Sequence, residues 1–304
     1  MSDNARVSNR IPVVLLGFGE AGQAFAAGWK AAGVPADLSA FDIKTNSPDT
    51  AEAKRADYSA HGVEGLTALS GSGAVFSLVT ADQAEAAAQD AAAVLAPGTL
   101  FFDCNSCSPG AKRRSAAALE AQGIRYVDVA VMAPVHPKLH RTQLLISGPH
   151  TQAAAECLHS LDMEAQIAGP DVGIASATKM VRSVMIKGIE ALTLECLLAG
   201  RRAGVDEAVL ASLDASMPGW NWPMRAAYNM ERATTHGLRR AAEMREVART
   251  VEELGLPADM SRAIVAWQQR VGDLSLRLAD GPKDYAGRAD RISNAMAGTP
   301  RAAE

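Results

Sequence analysis

The chain has 304 residues, 48% of them hydrophobic, and a formal net charge of -4. That length and composition support a large core and about two domains. The charge balance gives no basic field for nucleic acid, because Arg201-Arg202 and Arg239-Arg240 belong to single helix faces rather than to tracts. Ser2 to Arg6 form no apolar leader, and no run reaches the roughly 18 apolar residues of a membrane span. The expectation is a cytoplasmic protein with small-molecule ligands and no membrane partner. The four cysteines, at 104, 107, 157 and 196, are too few for a disulfide framework and are expected to be reduced. Cys104-x-x-Cys107 lacks a second Cys/His pair at ligand spacing, so it reads as coincidence and no metal is expected.

In chain order, Val13 to Leu16 is a short apolar strand that runs into Gly17-Phe18-Gly19-Glu20-Ala21-Gly22 and then into a helix-forming stretch. Glycines spaced G-x-G-x-x-G between strand and helix point to a dinucleotide site. The first makes the tight turn, the second lets the backbone approach a pyrophosphate, and the third lets the helix pack on the sheet, with the phosphates at the helix N-terminus. A second strand, Leu38 to Phe41, ends in Asp42, about 20 residues beyond the last glycine, where an acid would hold a ribose diol. Asp42 would also repel a 2′-phosphate, so NAD is expected; Lys44, two residues on, leaves NADP open.

Strand and helix then alternate: a helix over Ala51 to Ala60, a strand over Ala74 to Val79, a helix over Ala84 to Leu95 closed by Pro97-Gly98, and a strand over Thr99 to Asp103. A helix over Gly110 to Gln122, a strand over Arg125 to Val131, a strand over Thr142 to Ser147 and a helix over Thr151 to Leu161 complete the pattern near Pro170. This predicts an α/β doubly wound domain over residues 10–170, with a parallel sheet and ligands at the carboxyl ends of its strands. Those ends are Val79-Thr80 and Asn105-Ser106, both candidate cofactor or substrate contacts, and the segment after Val131, which begins with Met132.

Residues 171–304 read as an all-α domain. It is led by one long helix over about 173–199, whose only turn residue is Gly188. Ser176, Lys179, Arg182, Ser183, Lys187, Glu190 and Thr193 fall in one polar stripe, and Met180, Val181, Val184, Met185, Ile189 and Leu192 cover the rest. The stripe meets either water or the cleft beside the cofactor. Helices follow over Asp206 to Ser216, Met224 to Ala233, Gly237 to Leu254 and Ser261 to Leu278, with a rigid aromatic loop at Pro218 to Pro223. The chain from Gly281 is polar, and its last ten or so residues are expected to be loose. His236, Arg239 and Arg240 lie about a turn apart and form either an anion-binding group or an ordinary surface face.

Three motifs occur in order: the glycine turn, the segment Phe102-Asp103-Cys104-Asn105-Ser106-Cys107-Ser108-Pro109, and Gly173-x5-Lys179-Met180-Val181. With them the chain resembles the β-hydroxyacid dehydrogenase superfamily of 3-hydroxyisobutyrate and 6-phosphogluconate dehydrogenases, in a branch with a C-terminal helical domain of unknown function. The resemblance covers roughly residues 10–200. It implies nicotinamide-dependent oxidation of a hydroxyl β to a carboxylate, with Lys179 as general acid/base, and a homodimer. His236 and Arg240 are the candidates for a substrate contact contributed by the partner. A lysine pKa lowered by partial burial and by neighbouring Arg182 and Lys187 would suit that role.

The chain departs from the family where Met132-Ala133-Pro134, after Val131, replaces the usual Ser-Gly-Gly carboxylate cradle. It departs again where Ser183 stands for the usual asparagine and Ile186 for the glutamate of decarboxylating members. The expected substrate contacts are Asn105, Ser106, Met132, Ser183, Lys187, His236 and Arg240. Two other outcomes remain: a sugar-acid oxidoreductase that couples oxidation to isomerisation or decarboxylation, and a nucleotide-binding sensor that turns nothing over.

Overall fold

The computed structural model describes residues 10–71 and 73–298. The expectations for Ser2 to Arg6 and for the last six residues lie outside this range. The chain divides into two compact units, one ending at Met180 and the other beginning at Val181.

The first unit is built on an eight-stranded sheet: β1 (Ile11–Leu16), β2 (Ala36–Phe41), β3 (Glu64–Gly65), β4 (Ala74–Ser77), β5 (Leu100–Asp103), β6 (Arg125–Val131), β7 (Leu144–Ser147) and β8 (Ala165–Gly169), in the order β3-β2-β1-β4-β5-β6-β7-β8. The chain moves outward from β1 through β2 to β3, then returns to place β4 on the other side of β1. The strand order therefore reverses between β1 and β4, the position where doubly wound sheets open a crevice. Helices α1 (Glu20–Ala32), α2 (Pro48–His61), α3 (Ala84–Val94), α4 (Pro109–Glu120) and α5 (Thr151–Ser160) connect the strands.

Both faces of the sheet are buried. Val13, Leu15, Phe76, Phe102 and Val127 pack on one side with Phe25 and Trp29. Val14, Leu16, Val75, Phe101 and Tyr126 pack on the other with Leu119. This double burial explains why the strands read as continuous apolar runs.

The sheet is not wholly parallel. β7 runs antiparallel to β6, pairing Asp128 with Ser147 and Val131 with Leu144. The connection between them holds only a short 3-10 turn, Leu139–Arg141, and no crossover helix, so the chain can return only in the opposite direction. Two strands without an apolar run, β3 and β8, add edges that the pattern did not predict. β4 ends at Ser77, leaving Val79 and Thr80 in the loop beyond it.

The second unit is helical: α6 (Ile174–Ala203), whose first residues belong to the first unit, then α7 (Asp206–Ser216), α8 (Trp222–Glu253), α9 (Asp259–Asp273) and α10 (Tyr285–Gly298). Leu194, Leu197, Leu210, Trp222, Met230, Val271 and Ile292 form its core. α8 is one helix of 32 residues rather than the two expected. Gly237 does not break it, because it serves close packing: a Cβ there would lie 2.6 Å from the Cα of Gly272 on α9. Trp222 and Pro223 open α8 instead of belonging to a loop, and the side chain of Asn221 caps it by accepting from the Met224 N–H at 3.3 Å. The expected loose terminus is helical as far as Gly298, because Ala289, Ile292 and Met296 recur at helical spacing and pack into the core.

The α6 stripe is also corrected. Ser183, Lys187, Glu190 and Thr193 are buried, whereas Val181, Met185, Ile186 and Leu192 are exposed. The polar residues are inside because α8 supplies partners: Glu243 to Lys187 at 2.6 Å, Arg240 to Glu190, and Asn229 to the Thr193 hydroxyl at 3.1 Å.

Candidate active site

The glycine turn has the geometry a dinucleotide needs. Gly17 has φ +90, and a Cβ there would meet the Leu78 carbonyl oxygen at 2.9 Å and Val79 Cγ1 at 3.1 Å. A Cβ on Gly22 would meet the Gly17 carbonyl oxygen at 2.8 Å, so only glycine lets α1 start this close to the turn. Gly19 differs, with nothing within 4 Å of a Cβ position, and as N-cap of α1 it leaves that terminus without a side-chain cap. An uncapped, unobstructed helix N-terminus fits a pyrophosphate. Glu20 and Gly19 are exposed and Ala21 is half-buried at this mouth. Thr80 is exposed beyond β4, and half-buried Val79 backs the turn.

Phe18 and Asp42 have a structural duty that the sequence did not disclose. The Phe18 ring is fully buried, edge-on to Tyr58 at 5.1 Å, so only its backbone faces the turn. Asp42 Oδ2 accepts the Phe18 N–H at 2.9 Å, and its Oδ1 accepts the Lys44 N–H at 3.0 Å. Buried Lys54 donates to the Phe18 carbonyl at 2.8 Å and to Asp57 at 2.8 Å, with Asp42 at 4.0 Å. Asp42 and Lys54 thus hold both polar groups of the Phe18 peptide. Burial, then the Asp42 charge, pushes the neighbouring Tyr58 phenol up to about 12.

At the carboxyl end of β5, Lys179 Nζ donates to Ser106 Oγ at 2.8 Å, bringing two of the expected site residues together. Asn105, buried beside it, donates its amide to Ser77 Oγ at 2.9 Å and to Asp103 Oδ1 at 2.7 Å. Half-buried Met132 packs with Ala130, Leu145 and Ala175, so the segment after β6 lies against the first turn of α6.

Beneath these residues is a buried charged cluster of which the motifs contain only Asp103. Asp103 and Asp128 are register partners on β5 and β6, and the fully buried Lys112 ammonium lies 2.9 Å from Asp103 Oδ1 and 3.7 Å from Asp128 Oδ1. Burial pulls Lys112 toward its neutral form, but the Asp103 and Asp128 charges together outweigh this and hold its pKa above the ordinary lysine value. Tyr126 donates to Asp103 Oδ2 at 2.7 Å. Burial, then the Asp103 charge, raises the Tyr126 phenol well above its usual range. Burial likewise pushes the Cys104 thiol up to about 12, against the pull of Lys112, so it is no nucleophile. The signal that existed in the sequence was a carboxylate among the apolar residues of each of two strands.

The expected site residues of the second unit are engaged within it. Lys187 is paired with Glu243 and Arg240 with Glu190, and all four lie on α6 and α8. Burial raises the Glu190 carboxyl despite Arg240. His236 Nε2 lies 2.8 Å from Arg232 Nη1, and Arg239 is exposed while Arg240 is buried, so the three do not form one surface face. No group of three or more His, Cys, Asp or Glu side chains able to hold a metal occurs among the described residues.

Fold and glycine turn together define an α/β dinucleotide-binding protein. The chain belongs to the family defined by the NAD binding domain of 6-phosphogluconate dehydrogenase, whose profile matches residues 12–168. NAD is the cofactor of that domain. Residues 201–271 match a domain of unknown function, DUF1932.

Among curated proteins, an NAD-dependent L-serine dehydrogenase of Pseudomonas aeruginosa is 25% identical over 138 residues, 44% of this chain and 46% of that protein. A 3-hydroxyisobutyrate dehydrogenase of the same organism is 27% identical over 128 residues, 41% of this chain and 43% of that one. The chain thus aligns with less than half the length of these curated relatives. A solved structure of a conserved hypothetical protein from Sinorhizobium meliloti 1021 is 36% identical, with TM-score 0.74, over 94% of this chain and 96% of that one.

Proposed function

We propose that the protein is an NAD-dependent dehydrogenase that oxidises the hydroxyl of a β-hydroxy acid or a related sugar acid. The observation that carries this reading is the 2.8 Å contact between Lys179 Nζ and Ser106 Oγ beyond the carboxyl end of β5, which β4 separates from β1 in the sheet. Bound NAD supplies the hydride acceptor. Lys179, as the neutral amine, takes the substrate hydroxyl proton, directly or through Ser106 Oγ, while the carbinol carbon loses hydride; the products are the oxo acid, NADH and one proton. In the reverse direction the Lys179 ammonium returns that proton to the carbonyl oxygen. Asn105, its amide fixed by Asp103 and Ser77, and Ser106 orient the hydroxyl, and Met132 forms an apolar wall where the family usually has a polar cradle.

Both activities named for the curated relatives concern acids with a hydroxyl on the β carbon, which supports this substrate class. The test is NADH formation by the purified protein with L-serine, 3-hydroxyisobutyrate and a panel of sugar acids, with product analysis for lost CO2 or isomerisation. Binding of NADH without turnover of any of these compounds, or of the matching oxo acids, would replace the dehydrogenase by a sensor.

We also infer a homodimer, with the second unit providing the dimer contact. Exposed Val181, Met185 and Leu192 recur along one line of α6, a face apolar enough to call for a covering surface. The four free cysteines support a reducing compartment such as the cytoplasm, and among the described residues no helix is long and apolar enough to cross a membrane.

A further inference from the structure

The start of α6 is capped from the sheet rather than from its own sequence. Asp128 Oδ2 accepts the Gly173 N–H at 3.0 Å, the Ser176 N–H at 3.1 Å and the Ser176 hydroxyl at 3.1 Å. Ser147, the partner of Asp128 across β6 and β7, accepts the Ala175 N–H at 3.0 Å and donates to the same Asp128 oxygen at 3.0 Å. Three of the N–H groups that a helix start leaves unpaired are thus satisfied by two side chains from neighbouring strands. A buried carboxylate at that terminus is also favoured by the helix dipole. Lys179 follows Ser176 by three residues, about one turn, so the depth at which Asp128 holds the first turn fixes where the Lys179 stem begins. Through Lys112 the same carboxylate is tied to Asp103, which orients Asn105 beside Ser106.

We propose that Asp128, supported by Ser147 and Lys112, is a positioning residue that holds the first turn of α6 so that Lys179 meets Ser106. This inference rests on the acid/base reading of Lys179, and its test is built to fail separately from that reading. Displacing a reacting group by about 1 Å costs up to about 10²-fold in rate. Asn can accept the same backbone N–H groups as Asp, and Ala cannot.

The experiment compares Asp128→Ala, Asp128→Asn and Ser147→Ala in the full-length protein. In Asp128→Ala, amide exchange at 175–177 should rise at least about tenfold and kcat should fall at least about tenfold. The KM for whichever of L-serine or 3-hydroxyisobutyrate is turned over should stay within about threefold, as should the NADH Kd. Asp128→Asn should return kcat to within about fivefold of wild type. Unchanged kcat despite faster exchange, a loss confined to KM, or an Asn variant no better than Ala overturns the proposal. If Asp128→Ala does not fold, Ser147→Ala is judged by the same readouts, with smaller losses in the same direction. If the wild type turns over neither compound, the dehydrogenase reading is in trouble but this one is still decided: acetic anhydride should modify Lys179 at least about fivefold faster in Asp128→Ala or Ser147→Ala, because the contact to Ser106 is loosened. An unchanged labelling rate overturns it.

Discussion

Gly237 on α8 and Gly272 on α9 face each other so closely that a Cβ on the first would lie 2.6 Å from the Cα of the second, and a Cβ on the second 2.6 Å from the Leu238 nitrogen. Two opposed effects therefore act on Gly237→Ala. Helix propensity favours alanine by about 1 kcal/mol. Overpacking against backbone, which cannot rotate away, costs about 1–3 kcal/mol or more. The steric effect should win, lowering Tm by about 2–6 °C in a melting experiment. A raised Tm would show that the two helices separate easily, and that Gly237 is only a weak point in α8.

That pair also shows what could be read from the sequence and what could not. The glycine turn, the strands on either side of it and the long α6 were legible because apolar runs and glycine spacing are local signals. Gly237 reads in the sequence as the start of a separate helix, because its reason lies on another helix. The direction of β7 was hidden because it depends on the missing crossover helix between Val131 and Leu144, and β8, with no apolar run, left no pattern. At the site, Asn105, Ser106 and Lys179 came from short motifs. Asp128 did not, because the N–H groups it caps lie 45 and 48 residues further along the chain. The burial of Lys187 and Glu190 was equally non-local, since partners on α8 made it affordable.

Asp42 gives a prediction about the cofactor that a ribose-contact reading alone would not make. If it only held a ribose diol, removing it would chiefly relax discrimination against NADP. Because its two oxygens accept the Phe18 and Lys44 N–H groups, Asp42→Ala also releases the glycine turn. Hydrogen bonds to a charged acceptor contribute about 1.5–3 kcal/mol each, so affinity for NADH and NADPH alike should fall about tenfold or more. Titrating cofactor fluorescence decides it: a variant that keeps NADH affinity and gains NADPH would restore the simpler role. In the wild type, kcat/KM with NAD should exceed that with NADP.

The outward line of α6 predicts the assembly. Met185 is 64% exposed, although it belongs to the apolar part of a helix whose Ser183, Lys187, Glu190 and Thr193 are buried. A second copy covering this face would bury Met185, so Met185→Glu would place an unpaired charge in the interface, at a cost of several kcal/mol. Light scattering should then show a dimer for the wild type and mostly monomer for the variant at micromolar concentration. A monomeric wild type, or a variant dimer of undiminished strength, would remove this face from consideration.

The proposed role of Lys179 is tested by substitutions that separate a base from a mere positive charge. Lys179→Met removes both, and kcat should fall at least about 10²-fold, the low end of what a positioned acid/base supplies. NADH affinity should stay within about twofold, because the proposal gives the pyrophosphate contacts to the turn at Gly17 to Gly22. Lys179→Arg keeps a cation and can still donate to Ser106, but a guanidinium cannot accept a proton in this pH range. If Lys179 works by taking the hydroxyl proton, Arg should be nearly as inactive as Met. If it works only by attracting the substrate carboxylate, Arg should retain much of kcat and Met should suffer mainly in KM. Small primary amines added to Lys179→Ala supply a third readout. They should restore part of the turnover in proportion to the concentration of free amine, since the free base is the form that removes a proton. No rescue, together with an active Lys179→Arg, would move the proton-accepting role away from Lys179.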